Sequence, residues 1–140
     1  MTPAAGAGGG AGACVFCAIG RGEVPASIVL ERERFVAFLD QTPLFHGHVL
    51  VAPRAHVVTL PDLPEDDLAP LFSMARLLAR ALPAALGAEG TFVALNNVVS
   101  QSVPHLHVHV VPRTKGDGLK GFFWPRHKYC LIYTSDAADE

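Results

Sequence analysis

The sequence predicts an α+β domain in which an antiparallel sheet of about five strands carries one long helix. Two observations support this fold class. Three short β-rich segments occupy residues 27–52, and the gaps between them are too short for crossover helices. Apolar residues then recur at helical spacing over residues 65–86, and two more strand-like segments follow that helix.

The strands are expected at residues 27–31, 35–39, 47–52, 91–96 and 105–111. Turn-forming residues separate the first three, so an antiparallel meander is the natural arrangement. The predicted helix has a single apolar stripe and should therefore pack on one face of the sheet. Acidic residues occupy its first turn, where the helix dipole favours negative charge, and Gly87 or Gly90 is expected to end it.

Length and composition narrow the functional class. The chain has 140 residues, which is the size of one domain. Its 11 basic and 13 acidic residues give a formal charge of −2, which does not favour nucleic-acid binding. No apolar run approaches the roughly 18 residues that a membrane span needs. Three cysteines do not form a disulfide framework, so a cytoplasmic location is expected.

The two ends of the sequence differ in character from the rest. Residues 1–13 are almost entirely Ala and Gly and lack the pattern of a targeting segment, so a disordered tail is expected. Residues 131–140 are interpreted as a non-native or disordered tail. Between them, the aromatic residues Phe122, Phe123 and Trp124 suggest an extended arm.

The most informative segment carries three histidines that alternate with apolar residues, His105-Leu106-His107-Val108-His109-Val110. In a strand, alternate side chains share a face, so the three imidazoles would point to one side and recur about every 6.6 Å. A polar face exposed to solvent is a poor explanation for three histidines at this strict spacing. Three chemistries remain open: a catalytic metal site, nucleophilic attack by a neutral imidazole, or a pH-sensing cluster.

This segment, closed by Val111, resembles the signature of the histidine triad (HIT) superfamily. The similarity extends over about residues 14–124 and includes Phe38-Leu39-Asp40, Gly47-His48-Val49-Leu50-Val51-Ala52-Pro53 and Gln101-Ser102-Val103. The resemblance implies a HIT-like fold over residues 14–130, with a short N-terminal helix before the sheet.

The resemblance also implies a mechanism. His107 matches the nucleophile that attacks the α-phosphorus of a nucleotide and forms a nucleotidyl-histidine intermediate. His109 matches the residue that supports the phosphate and leaving group, and His48 borders the same site.

Nucleotide contacts are implied for a further set of residues. Asp40 matches the position that holds ribose hydroxyls, although a turn-forming role is the alternative. Phe16 and Ile28, with Ile19, are expected to form the slot for the base. Asn97, Gln101 and Ser102 are expected to border the phosphates. The loop of residues 98–100 departs from the family pattern, because it is shorter and more apolar than the Gly-rich loop of many relatives.

Cys14 and Cys17 form half of a possible zinc site, or alternatively two buried thiols. Structural zinc usually takes four ligands, and branches of the family complete the set with residues that match His56 and His105. The resemblance therefore implies a structural zinc ion that ties the N-terminal segment to the histidine strand.

Four functional hypotheses follow. The first is a Hint-like hydrolase of purine nucleoside phosphoramidates or adenylates. The second is a Fhit-like dinucleoside polyphosphate hydrolase, in which Arg113 and Lys115 meet extra phosphates. The third is a nucleotide-binding regulatory module, and the fourth is a zinc hydrolase with the metal on the triad. A homodimer is expected by resemblance, with a purine nucleotide as substrate and no nucleic-acid or membrane partner.

Overall fold

One antiparallel sheet and two helices form the described part of the computed structural model, which comprises residues 13–119 and 127–129. In chain order these are α1 (Val15–Gly20), β1 (Ile28–Glu31), β2 (Phe35–Leu39), β3 (Val49–Pro53), a 3-10 turn (Leu60–Asp62), α2 (Glu65–Leu86), β4 (Gly90–Ala94) and β5 (Val108–Arg113). The predicted arm at residues 122–124, the tail at 131–140 and the first twelve residues of the N-terminal tail lie outside the described residues.

The strands are arranged in the order β1-β2-β3-β5-β4, and every neighbouring pair is antiparallel. This order places β5, which carries His109, between β3 and β4. Leu50 of β3 pairs with His109, and Phe38 of β2 pairs with Leu50. The histidine segment therefore leads into the interior of the sheet rather than to an exposed edge.

Two apolar layers cover the two faces of the sheet. Leu106, Val108 and Val110 are fully buried on the side of α2. The opposite face packs against α1 through a second cluster that includes Phe16, Val36, Phe38, Leu50 and Val103. Because side chains alternate in the histidine segment, its aliphatic side chains face α2 and its imidazoles lie on the side of α1.

The helix α2 has the predicted bounds. Glu65, Asp66 and Asp67 occupy its first turn, and Gly87 ends it in the left-handed conformation with φ of 71°. Glycine adopts this conformation at little cost, and the cap places the Ala88 amide on the Pro83 carbonyl at 3.0 Å. No helix in residues 13–119 or 127–129 is long and apolar enough to cross a membrane.

The predicted start of the last strand is wrong by three residues, because β5 begins at Val108 rather than at position 105. The preceding residues make other backbone bonds: the His105 amide donates to the Val103 carbonyl and the Leu106 amide to the Val57 carbonyl. Leaving the ladder lets His105 turn toward α1 and away from the row that His107 and His109 form.

Candidate active site

His107 is held in one tautomer by its own backbone. Its Nδ1 lies 2.7 Å from the His105 carbonyl, and because a carbonyl only accepts, Nδ1 must carry the proton. The lone pair is therefore on Nε2, which has no hydrogen-bond partner within the described residues. Burial lowers the pKa of His107, against the opposing effects of the His105 carbonyl and Asp40. A neutral imidazole with one free nitrogen is a nucleophile at neutral pH.

A second chain of hydrogen bonds fixes His48 and His109. The Leu44 amide donates to Nδ1 of His48 at 3.0 Å, so the neutral His48 ring carries its proton on Nε2. This Nε2 lies 2.9 Å from Nδ1 of His109 and donates to it. The neutral His109 ring then carries its own proton on Nε2. Its ring centroid is 5.0 Å from that of His107, which places a donor beside the nucleophile.

The pKa values of both supporting histidines lie below the usual value. Burial is the largest cause for each, and it lowers the pKa of His109 to about 4, with further lowering by His107 and His48. For His48, Asp40 opposes the effect of burial on the pKa. Both rings are therefore neutral at pH 7, in agreement with the tautomers that the hydrogen bonds require.

Asp40 lies at the rim of this group and closes a turn. One carboxylate oxygen accepts from the Thr42 amide at 2.9 Å and from the Thr42 hydroxyl at 3.3 Å. The other oxygen is 3.6 Å from Nε2 of His48, which is too long for a hydrogen bond. The turn-forming alternative for Asp40 is thus present in the structure, and the ribose contact stays a prediction.

The residues predicted to form the base slot differ in burial. Phe16 is buried, and its ring meets those of Phe38 and His107 edge to face, with centroids 5.2 and 5.0 Å away. Ile28 is 43% exposed on the edge strand β1, where it pairs with Phe38. Because directly paired residues share a face, Ile28 stands on the same side of the sheet as His109.

The side chains of Asn97 and Gln101 hold their own loop. Asn97 accepts from the Leu60 amide at 2.7 Å. Gln101 accepts from the Val98 amide at 3.0 Å and donates to the Val58 carbonyl at 2.6 Å. Sequence reasoning missed this scaffolding role, which leaves less of each amide free for a nucleotide. Ser102 is exposed at the end of the loop.

Four side chains form a separate cluster suited to a metal. The ligand atoms of Cys14, Cys17, His56 and His105 all lie within 4.8 Å of one another. Nδ1 of His105 is 3.3 and 3.4 Å from the two sulfur atoms, and Nδ1 of His56 is 3.2 Å from the Cys17 sulfur. Tetrahedral zinc separates sulfur and nitrogen ligands by about 3.6 Å, so the donor set and its spacing fit this ion.

An additional contact orients His105 within the cluster. Its Nε2 lies 2.7 Å from the Pro53 carbonyl and donates to it, which leaves the Nδ1 lone pair facing the thiols. His105 is fully buried and is directed toward the cysteines. This geometry favours a structural metal over the alternative in which a catalytic metal sits on the triad.

Asp40, His48 and His109 also bring three ligand atoms within 4.8 Å. Their hydrogen bonds explain this approach without a metal. Because the Leu44 amide occupies Nδ1 of His48, the Nε2 that a metal would need already carries the proton. This group is therefore a proton-bearing pair of histidines beside a carboxylate.

Comparison with known proteins identifies the family. The HIT domain family model matches residues 21–116, and the chain belongs to this family. A HIT-like protein of Mycobacterium tuberculosis is 42% identical over 76% of this chain and 75% of that protein. The adenosine 5′-monophosphoramidase HNT1 of Saccharomyces cerevisiae is 34% identical over 81% of this chain and 70% of that enzyme.

Among solved structures, a Zn-bound histidine triad family protein from Mycobacterium smegmatis superposes with a TM-score of 0.74. It is 40% identical and covers 84% of this chain and 86% of its own. The predicted family and the five-stranded α+β fold with its short N-terminal helix are confirmed. The Cys-Cys-His-His set of the predicted zinc site is present.

Proposed function

We propose that the protein is a nucleotide hydrolase or transferase that cleaves at the α-phosphate through a nucleotidyl intermediate on His107. The observation that carries this proposal is the bond between Nδ1 of His107 and the His105 carbonyl. This bond presents Nε2 as an unpaired lone pair, next to a neighbouring imidazole whose N–H is free to donate. This arrangement supports nucleophilic catalysis. A module that only binds nucleotides would not need an imidazole held in this tautomer.

The reaction has two halves. In the first, Nε2 of His107 bonds to the α-phosphorus, and the bond from phosphorus to the leaving group breaks with its electron pair going to the leaving group. A carboxylate leaves as the anion, whereas an amine leaves with a proton taken from solvent. In the second half, water attacks the phosphorus, the bond to His107 breaks with its electron pair returning to Nε2, and the water proton passes to a phosphoryl oxygen of the product or to solvent.

Fixed hydrogen-bond donors in a buried site are proposed to stabilise the charge that develops in the transition state. We infer that the Nε2–H of His109 donates to a phosphoryl oxygen and that the His105 carbonyl, which accepts from Nδ1 of His107, stabilises the positive charge that develops on the His107 ring. Ser102 and Asp40 are proposed to contact the leaving group and the ribose, with Phe16 and Ile28 against the base.

The substrate class that we propose is purine nucleoside phosphoramidates or adenylates. The yeast relative that hydrolyses adenosine 5′-monophosphoramidate supports it. The alternative of dinucleoside polyphosphates needs cations for extra phosphates, but Arg113 is already engaged with both carboxylate oxygens of Asp117, at 2.6 and 2.9 Å. Within residues 113–119 this pairing leaves Lys115 as the exposed cation.

We further infer that the Cys14–Cys17–His56–His105 cluster binds zinc in a structural role. Four protein ligands leave no open position for water, so the ion would fix α1 against the histidine segment. The similarity to a Zn-bound histidine triad protein supports this inference.

Product analysis by chromatography tests the proposed function. Purified protein is offered adenosine phosphoramidate and diadenosine tetraphosphate separately, alongside the variants His107→Ala and His46→Ala. His46 is an exposed histidine outside the site and serves as the control. We expect AMP release mainly from the phosphoramidate, lost in His107→Ala and retained in His46→Ala. Preference for the tetraphosphate would favour the dinucleotide alternative, and activity that persists without His107 would overturn the mechanism.

A further inference from the structure

Phe16 occupies a position that touches two sites at once. It lies in α1 between the metal-cluster residues Cys14 and Cys17, and only 8% of its surface is exposed. Its ring is edge-on to His105 with centroids 5.9 Å apart, and edge-on to His107 with centroids 5.0 Å apart. One side chain therefore connects a residue of the metal cluster to the candidate nucleophile.

The placement of Phe16 depends on how α1 is anchored. The helix has six residues, and helices of this length do not persist without tertiary contacts. Cys14 caps the start of the helix, because its sulfur accepts from the Cys17 amide at 3.4 Å. At the other end, the Arg54 guanidinium donates to the Gly20 carbonyl. A metal bound to both cysteines and to His56 and His105 would replace the weak thiol contacts with four coordinate bonds. These bonds would tie the start of α1 to the two histidines, which lie outside the helix.

We propose that Phe16 couples the metal site to the nucleotide site, so that bound zinc raises the affinity for a purine nucleoside monophosphate. This inference rests on the proposed function, which places the nucleotide beside His107. Zinc fixes α1, α1 fixes the Phe16 ring, and the ring forms the wall against which the nucleotide packs. Thermodynamic linkage then requires that the nucleotide raise the affinity for zinc by the same factor.

Four affinities measured on the full-length chain test the coupling. AMP binding is measured by calorimetry on the zinc-loaded and on the chelator-treated protein. Zinc binding is measured by chelator competition with and without saturating AMP. We expect zinc to tighten AMP binding by about 5- to 50-fold, with the same factor in the reverse direction. Equal AMP affinity in the two metal states would overturn the coupling.

Two variants on the same helix separate Phe16 from a general loosening of α1. Phe16→Leu keeps an apolar side chain but removes the ring, and we expect it to retain zinc while the coupling factor falls toward one. Val15→Ala changes a half-buried neighbour without a ring contact and should keep the wild-type factor. A full coupling factor in Phe16→Leu would show that the two ligands communicate through global folding, which contradicts the role of Phe16. Zinc-loaded protein that binds no AMP would instead contradict the proposed function.

Discussion

At the scale of single residues, His109 illustrates how the site controls protonation. Its pKa falls to about 4, first because of burial and then because His107 and His48 lie beside it, while Asp40 opposes the shift. Free histidine titrates near pH 6.5. Between about pH 6.5 and 4 the unfolded chain therefore binds a proton at this residue that the folded chain does not. The contribution of neutral His109 to the stability of the folded chain is therefore fully present above the pKa of the unfolded chain. It is lost as the pH falls through this window.

The variant His109→Asn tests this consequence of the lowered pKa. Because asparagine does not titrate, we expect its melting temperature to fall less between pH 6.5 and pH 4 than that of the wild type. Thermal denaturation followed by circular dichroism measures the difference. His46→Asn, at an exposed position, is the control and should keep the wild-type slope. An unchanged slope in His109→Asn would contradict the lowered pKa.

The side chains of the site could be found from the sequence, but their hydrogen-bond partners could not. The alternating histidines and the Cys-Cys pair carry a chemical pattern, and the structure places His107 beside His109 and His105 beside the two cysteines. The Leu44 amide and the His105 and Pro53 carbonyls set the tautomers of three histidines. Every residue has such backbone groups, so no sequence pattern distinguishes the ones that matter.

At the scale of secondary-structure elements, prediction succeeded where one periodicity runs uninterrupted. The apolar stripe and the acidic first turn define α2 at both ends. The start of β5 was misplaced because the alternation of His105 to His109 continues after the backbone has left the sheet. Local pattern cannot show this departure, since long-range contacts to Val57 and the cysteines cause it.

The turn before β3 gives a prediction at this scale. Gly47 has φ of +89°, and an added Cβ would lie 2.2 Å from Cδ1 of Leu86. Gly22 has a similar φ of +75° but open space around its Cα. We expect Gly22→Ala to lower the free energy of unfolding by about 1 kcal/mol and Gly47→Ala by about 2–3 kcal/mol. Chemical denaturation measures both. Equal losses would show that Leu86, whose side chain is partly exposed, moves aside freely.

At the scale of the whole molecule, the metal cluster joins three distant parts of the chain. Cys14 caps the N-terminal helix and Cys17 lies within it, His56 follows β3, and His105 precedes β5. We expect Cys17→Ser to lower the zinc content and the melting temperature together, because a lost ligand weakens a bound ion that stabilises the folded chain. Elemental analysis and thermal denaturation measure the two quantities. Cys130→Ser, at the third cysteine of the sequence and outside the described residues, is the control. Unchanged zinc content and melting temperature in Cys17→Ser would refute the site.

The edge of the sheet formed by β4 bears on the predicted homodimer. β4 pairs only with β5 among the described strands, which leaves its other edge open to a second chain. Val93 of β4 is 42% exposed and pairs with Val110, whose side chain faces α2. Val93 therefore stands on the helix side of the sheet, where the outward residues of α2 include the exposed Phe72. A second copy that pairs through β4 would cover these apolar side chains about a two-fold axis.

A glutamate substitution at each edge strand of the sheet tests whether the homodimer forms through β4. Val29 of β1 is also 42% exposed, and it lies on the opposite edge of the sheet. We expect sedimentation equilibrium to give twice the chain mass of 14.8 kDa for the wild type and for Val29→Glu. Val93→Glu should shift the mass toward the monomer, because each chain would bring a carboxylate into an apolar interface. Dissociation by Val29→Glu alone would place the interface at β1. A monomeric wild type at micromolar concentration would contradict the dimer itself, and the site would then have to function within a single chain.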